Sequence, residues 1–159
     1  MTISVGSEVP SGILRGMDSK GVYTIKVDEH FKNKKIVLFS LPGAFTPTCS
    51  AKHLPGFVEY SNDIKNKGVD EIICIAVNDH FVMNAWEKDQ NSKGKVILLA
   101  DGNGEFTAAM GLTMDGSGAG MGSRSKRYAA VIEDGVITHL AVEAGSIDVS
   151  TCSAVLDAI

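Results

Sequence analysis

The sequence has 159 residues, a length typical of one domain, and its 44% hydrophobic and 21% charged residues exclude a disordered or fibrous chain. The net charge of −4 comes with lysines and arginines scattered along the chain, which argues against a nucleic-acid partner. No apolar run approaches the roughly 18 residues of a membrane span, and no targeting pattern opens the chain, so we expect one domain over 1–159, in the cytoplasm and without a membrane partner.

Three short apolar runs, at 36–41, 72–77 and 96–100, are typical of strands that are buried on both faces of a sheet. The segments 50–67 and 79–91 between them have the length of helices, and the first ends in lysines and a glycine, as helix C-termini prefer. This alternation predicts parallel strands joined by right-handed crossovers.

The last third of the chain has a different pattern. Residues 128–142 contain two apolar runs joined by Glu-Asp-Gly, which predicts a β-hairpin. The Gly-rich stretch 111–122 is interpreted as a loop, and 148–159 as a terminal helix capped by Ser150 or Asp148. These elements together predict an α/β fold of three layers, with a central mixed sheet flanked by helices.

The three cysteines are Cys49, Cys74 and Cys152, and their spacing fits neither a disulfide framework nor a zinc site. In a reducing compartment each is therefore either a packing residue or a reactive thiol. Cys74 stands in the middle of a predicted buried strand, which favours packing.

Cys49 stands where a predicted strand is followed by a helix. Thr46 is a suitable N-cap and Pro47 suits the first helical position, so Cys49 falls in the first turn, near unpaired backbone amides and the positive end of the helix dipole. Such surroundings favour a thiolate, whereas a free cysteine has a pKa of about 8.5. The alternative is a small buried hydrophobic residue. We interpret Cys49 as a reactive nucleophile.

Pro42, Thr46 and Cys49 form a Pro-x-x-x-Thr-x-x-Cys pattern, and with His-Leu-Pro-Gly-Phe at 53–57 this region resembles the peroxiredoxin 5, or type II, branch of the peroxiredoxins. The resemblance extends across nearly the whole chain, including 124–128. It implies a thioredoxin-like fold, a thiol-dependent peroxidase acting on hydrogen peroxide and alkyl hydroperoxides, no metal or organic cofactor, and a homodimer.

The same resemblance assigns roles to residues. Cys49 would be the peroxidatic cysteine, which becomes a sulfenic acid, and the Thr46 hydroxyl would hydrogen-bond to the thiolate and the peroxide. Pro42 would shield the pocket from water, with Gly43 in a supporting role.

An arginine completes the set. The family's catalytic arginine directly precedes the aromatic residue that begins a strand, here Tyr128, so Arg127 is assigned to the active site and Arg124 to a supporting position. The alternative for either arginine is a solvated surface cation.

The sequence leaves open which thiol reacts with the sulfenic acid in the resolving step. Cys152 is similar in position to the resolving cysteine of animal-type members, and plant-type members carry a cysteine at the position of Cys74. If neither resolves the sulfenic acid, an external thiol would reduce it, and thioredoxin, glutaredoxin or glutathione is the expected reductant. Pro55 interrupts the helix that Cys49 opens, which would let Cys49 swing out after oxidation.

Other features have weaker interpretations. His53 is interpreted as a surface histidine outside the catalytic set, and Phe45 and Trp86 as candidate interface residues. The function from a different class is a thioredoxin-like module without enzymatic activity, or a redox sensor that passes oxidation to a partner through Cys49.

Overall fold

The computed structural model describes residues 2–159. In chain order its elements are β1 (Ile13–Asp18), β2 (Gly21–Lys26), α1 (Val27–His30), β3 (Lys35–Ser40), a π-helical segment (Cys49–His53), α2 (Leu54–Glu59), α3 (Ser61–Lys65), β4 (Glu71–Ala76), α4 (His80–Gln90), β5 (Ile97–Ala100), α5 (Glu105–Met110), β6 (Thr113–Asp115), a 3-10 turn (Ser117–Ala119), β7 (Ser123–Ser125), β8 (Tyr128–Glu133), β9 (Val136–Val142) and α6 (Cys152–Ala158).

Seven strands form one mixed sheet in the order β2-β1-β5-β4-β3-β8-β9. The three predicted apolar runs are β3, β4 and β5, which pair in parallel at its centre. The predicted hairpin is β8 and β9, and β8 pairs antiparallel with β3. In this register Phe39 of β3 lies between Cys74 of β4 and Ala129 of β8.

Helices cover both faces of the sheet. One core packs α2, α3, α4 and α6 against it, through side chains that include Phe57, Ile64, Trp86 and Val155. The other core packs α1 and α5 against the opposite face, through Val27 and Phe106. The predicted three-layer α/β architecture is confirmed. Within residues 2–159, no helix is long and apolar enough to cross a membrane.

The helix predicted over 50–67, with an interruption at Pro55, is divided differently in the structure. The chain there forms the π-helical segment, then α2 and α3, with a break at Tyr60, whose backbone is not helical. Pro55 lies in the first turn of α2, so the widened turns come before it, the break at Tyr60 comes after it, and the helix is not interrupted at Pro55 itself. A proline lacks an N–H and crowds the carbonyl four residues earlier, which favours a wider turn on its N-terminal side.

The terminal helix is shorter than predicted. It begins at Cys152, and its N-cap is Thr151, whose hydroxyl accepts a hydrogen bond from the backbone N–H of Ala154 at 3.1 Å. Neither Ser150 nor Asp148 caps it, because both lie before the N-cap, and the Ser150 hydroxyl donates to the Glu143 carboxylate.

The Gly-rich stretch 111–122 is not wholly a loop. Its first part contains β6, which pairs antiparallel with β7, and the Gly116 N–H donates to the Gly122 carbonyl between the two strands. Five further elements, β1, β2, α1, α5 and β7, were not predicted from the sequence.

Candidate active site

Cys49 lies at the start of a distorted helix. The helical turn begins at Pro47, as predicted, and the Ser50 N–H donates to the Thr46 carbonyl at 3.0 Å. From Cys49 onward the turns widen into the π-helical segment, and the Leu54 N–H donates to the Cys49 carbonyl five residues before it. π-helical turns are rare and often mark functional positions. Cys49 itself has no solvent-exposed surface.

Arg127 contacts Cys49 directly. One guanidinium nitrogen, Nη2, donates a hydrogen bond to Cys49 Sγ at 3.2 Å, and within residues 2–159 this is the one hydrogen bond that the sulfur accepts. The other terminal nitrogen, Nη1, lies 2.8 Å from Nδ1 of His53. Arg127 is thus half-buried and oriented into the protein, and is not a solvated surface cation.

His53 is not the surface histidine that the sequence suggested. Its side chain is 1% exposed, and its ring lies near those of Phe39 and Phe57, with centroid distances of 5.0 and 5.7 Å. Arg127 has no acceptor, so Nδ1 must accept, and Nε2 carries the hydrogen that it donates to the Ser150 carbonyl at 2.9 Å. His53 is therefore a neutral link between Arg127 and the C-terminal segment.

The surroundings of His53 lower its pKa to about 4 from 6.5. Burial is the main cause, and the charge of Arg127 adds to it, while the Ser150 carbonyl and the Glu143 carboxylate oppose the shift. Protonation would place a hydrogen on Nδ1 facing the guanidinium. The contact between Arg127 and His53 thus requires a neutral imidazole.

This shift predicts a pH-dependent stability. The unfolded chain binds a proton at His53 near pH 6.5, and the folded chain only near pH 4, so the free energy of unfolding decreases as pH falls between these values. The free energy of unfolding decreases by about 3 kcal/mol in total over this range, and this decrease is absent above pH 7. Urea unfolding of wild type and His53→Gln from pH 7.5 to 4 measures it. The glutamine variant should lack this component, and parallel pH profiles would contradict the assignment.

The loop before Cys49 is held by side chains on both sides. Arg124 Nη1 donates to the Pro42 carbonyl at 3.2 Å, and Asn78 Oδ1 accepts from the Ala44 N–H at 2.9 Å. A Cβ at Gly43 would lie 2.5 Å from Arg124 Nη1, so a larger residue there would displace the guanidinium. Arg124 therefore occupies a supporting position. Asn78 was not predicted as a site residue, although it follows the buried strand β4 at the edge of the sheet where the site lies.

Thr46 differs from its predicted geometry. Its hydroxyl donates to the Gly43 carbonyl at 2.7 Å, so its proton is committed to the loop. Within residues 2–159 it makes no hydrogen bond to Cys49 Sγ, and no backbone amide does so either. The Thr46 oxygen keeps lone pairs that can accept a hydrogen bond from an incoming molecule.

The other two cysteines are buried and protonated. Burial raises the pKa of Cys74, and a negative charge on Cys49 would raise it further. Cys152 has its pKa raised to about 11 by burial and by the carboxylates of Asp63 and Glu59. All three thiols are free, so the structure holds no disulfide. Within residues 2–159, no three His, Cys, Asp or Glu side chains are grouped as a metal ion would require.

The two candidate interface residues differ in their burial. Trp86 is fully buried, and its indole N–H donates to the Ser50 hydroxyl at 3.0 Å, so the interface interpretation is wrong for this residue. Phe45 is 51% exposed, and its backbone has a φ of 64°, in the left-handed region that a bulky residue rarely adopts.

Comparison with known proteins identifies the family. Residues 4–156 match the Redoxin family. Peroxiredoxin-2B of Arabidopsis thaliana is 45% identical over 159 residues, covering 99% of this chain and 98% of that relative. The chloroplastic peroxiredoxin-2E of the same plant is 49% identical over 148 residues, 91% of this chain, and the matched part is 63% of that relative's length.

Comparison with solved structures indicates the same family as comparison with related sequences. Reduced Prx3 of Vibrio vulnificus, in complex with hydrogen peroxide, superimposes with a TM-score of 0.95 at 46% identity over 99% of each chain. Peroxiredoxin 5 of Alvinella pompejana has a TM-score of 0.85 at 35% identity, covering 97% of this chain and 96% of its own. With Cys49 and Arg127 in contact within this thioredoxin-like fold, the chain belongs to the peroxiredoxins, in their type II or peroxiredoxin 5 branch, and is a thiol-dependent peroxidase.

Proposed function

We propose that this chain reduces hydrogen peroxide and alkyl hydroperoxides at Cys49, with Arg127 as the residue that stabilises charge in the reaction. The observation that carries the proposal is the 3.2 Å hydrogen bond from Arg127 Nη2 to Cys49 Sγ, on a cysteine that has no solvent-exposed surface. The guanidinium offers charged N–H donors, which stabilise negative charge on an atom that accepts from them.

The proposed step is a displacement at oxygen. The Cys49 thiolate attacks the nearer peroxide oxygen, an S–O bond forms and the O–O bond breaks. Sulfur is oxidised to the sulfenic acid, which keeps the hydroxyl, and the leaving hydroxide or alkoxide takes a proton from water. Negative charge moves from sulfur to the leaving oxygen. The guanidinium can stabilise it at both atoms, because its N–H donors lie in one plane and point in different directions.

The loop residues have proposed roles that follow from their positions. Pro42 and Thr46 are half-buried in the segment directly before Cys49, where they would limit the access of water. The Thr46 hydroxyl donates its hydrogen bond to the Gly43 carbonyl, so its oxygen is free to accept a hydrogen bond from the peroxide O–H. Arg124 would keep this segment in place through the Pro42 carbonyl.

Trapping of the product tests the proposal. Wild-type protein treated with one equivalent of hydrogen peroxide in the presence of dimedone should carry the adduct at Cys49, identified by peptide mass mapping. Omission of peroxide is the control. A protein that consumes peroxide but is labelled only at Cys74 or Cys152 would contradict the role of Cys49.

For the reductive half of the cycle we propose an external thiol, with glutathione, glutaredoxin or thioredoxin as reductant. With a pKa of about 11, Cys152 is a thiolate in only about one molecule in 10⁴ at pH 7, which makes it a poor attacking group. Cys74 is fully buried in β4 and is a poorer candidate still.

The Cys152→Ser variant checks this prediction. Turnover supported by glutathione with glutaredoxin, or by thioredoxin, is expected to stay within about twofold of wild type, because the resolving thiol comes from outside. Cys74→Ala is the matched control in the same core. Loss of thioredoxin-supported turnover, with a Cys49–Cys152 disulfide in oxidised wild type, would show that resolution is internal.

We further propose a homodimer in a reducing compartment such as the cytoplasm. The exposed Phe45, next to the reactive segment, and the 62% exposed Phe81 are aromatic side chains of the kind that subunit contacts cover. Three free cysteines fit a reducing compartment. Sedimentation of wild type should give a dimer and Phe45→Asp a monomer with unchanged circular dichroism. Identical dimers would exclude this surface.

A further inference from the structure

Glu143 anchors the segment that leads from the sheet to α6. A single carboxylate oxygen, Oε2, accepts three hydrogen bonds: from the Asp148 N–H at 2.7 Å, the Ser150 N–H at 2.8 Å and the Ser150 hydroxyl at 2.7 Å. Burial raises the pKa of Glu143, but these donors outweigh it and lower the pKa, so the carboxylate stays charged. The segment between Glu143 and Ser150 is otherwise largely exposed.

These contacts close a ring that includes Arg127. The Ser150 carbonyl accepts from His53 Nε2, and His53 Nδ1 accepts from Arg127 Nη1. The Glu143 N–H in turn donates to the Arg127 carbonyl at 2.9 Å. Glu143 is therefore hydrogen-bonded directly to the backbone of Arg127. It is also linked to the Arg127 side chain, through Ser150 and His53.

The side-chain hydrogen bonds of Arg127 go to His53, within this ring, and to Cys49. Among the described residues, the ion pairs of the chain involve other cations, and no carboxylate pairs with Arg127. The neutral imidazole of His53 and the sulfur of Cys49 are its side-chain acceptors. The position of His53 depends on where the Ser150 carbonyl lies, and that carbonyl belongs to a loop which Glu143 holds.

We propose that Glu143 is a positioning residue for Arg127, acting through Ser150 and His53. The inference rests on the proposed function, in which Arg127 stabilises the reacting charge. Without the carboxylate, three donors lose their acceptor and the Ser150 carbonyl is no longer fixed. His53 then loses its hydrogen-bond partner, and the guanidinium can turn away from Cys49. Displacements of about 1 Å in a catalytic group can cost up to a hundredfold in rate.

The test compares substitutions at Glu143 with one in the same loop. Glu143→Ala is expected to lower kcat/KM for hydrogen peroxide by about tenfold, and to slow alkylation of Cys49 by iodoacetamide at pH 7. Glu143→Gln should retain most of the activity, because its amide oxygen still accepts. Asp148→Asn removes a negative charge from the same exposed loop but keeps the backbone donor, and should match wild type.

A readout independent of turnover is the His53 tautomer, measured by long-range ¹H–¹⁵N NMR. Wild type should show only the Nε2–H form, and Glu143→Ala a mixture of tautomers. If Glu143→Ala does not fold, Glu143→Asp replaces it, since its shorter side chain withdraws the acceptor by one methylene.

The outcomes separate the two proposals. An active wild type with an equally active Glu143→Ala (or Glu143→Asp) variant that keeps the Nε2–H tautomer would overturn the positioning role alone. A wild type without peroxide consumption would overturn the proposed function, whatever the tautomer of His53.

Discussion

Replacing Cys49 with serine is expected to abolish peroxide consumption in the presence of dithiothreitol. A hydroxyl is not ionised at neutral pH and is a far weaker nucleophile toward oxygen than a thiolate, so the S–O bond-forming step has no substitute. Serine is nearly isosteric with cysteine, and its oxygen can still accept from Arg127. The fold should therefore be retained, which a thermal melt checks.

The other cysteines provide the matched controls for this experiment. Cys74→Ala and Cys152→Ser both alter buried thiols in the same core as Cys49, and with dithiothreitol as reductant both should consume peroxide at close to the wild-type rate. A loss of activity in all three variants would point to core packing and not to chemistry. Equal and negligible rates for wild type and Cys49→Ser would instead favour the module without enzymatic activity.

The central sheet was predictable because its strands are buried on both faces. Short continuous apolar runs, such as 72–77, are typical of such strands, and β4 lies there. Strands β1 and β2, at one side of the sheet, were missed although more buried and more exposed residues alternate along them, a pattern typical of half-buried strands. The π-helical segment was not predicted, because Pro55 was expected to interrupt the helix at its own position and not to widen the turns before it.

The active site was predictable only in part. The Thr-Pro start of the helix placed Cys49, and the resemblance to the peroxiredoxins assigned Arg127, which the structure brings into contact with the sulfur. His53 was misjudged because its burial depends on a carbonyl at Ser150, 97 residues further along the chain. Its position one helical turn after Cys49, just before the apolar Leu54, was the available signal. No local pattern marks Glu143 as a partner of that segment.

Replacing Arg127 with alanine is expected to lower kcat by about 10²- to 10³-fold, the usual cost of removing one preorganised donor to a developing negative charge. The variant also leaves Nδ1 of His53 without its donor, so the loss has a local and a network component. Steady-state kinetics with hydrogen peroxide and dithiothreitol measure the effect. Alkylation of Cys49 at pH 7 should slow as well, because the cation beside the thiolate is gone.

Two conservative variants separate the charge of Arg127 from its shape. In Arg127→Lys the charge remains, but one ammonium nitrogen cannot occupy both Nη positions, which contact Cys49 at 3.2 Å and His53 at 2.8 Å. We therefore expect an intermediate rate. Arg124→Lys keeps a cation near the loop without touching the sulfur, and should cost less. If Arg127→Lys were as active as wild type, charge alone would suffice, and the paired contacts with His53 and Cys49 would have no part in catalysis.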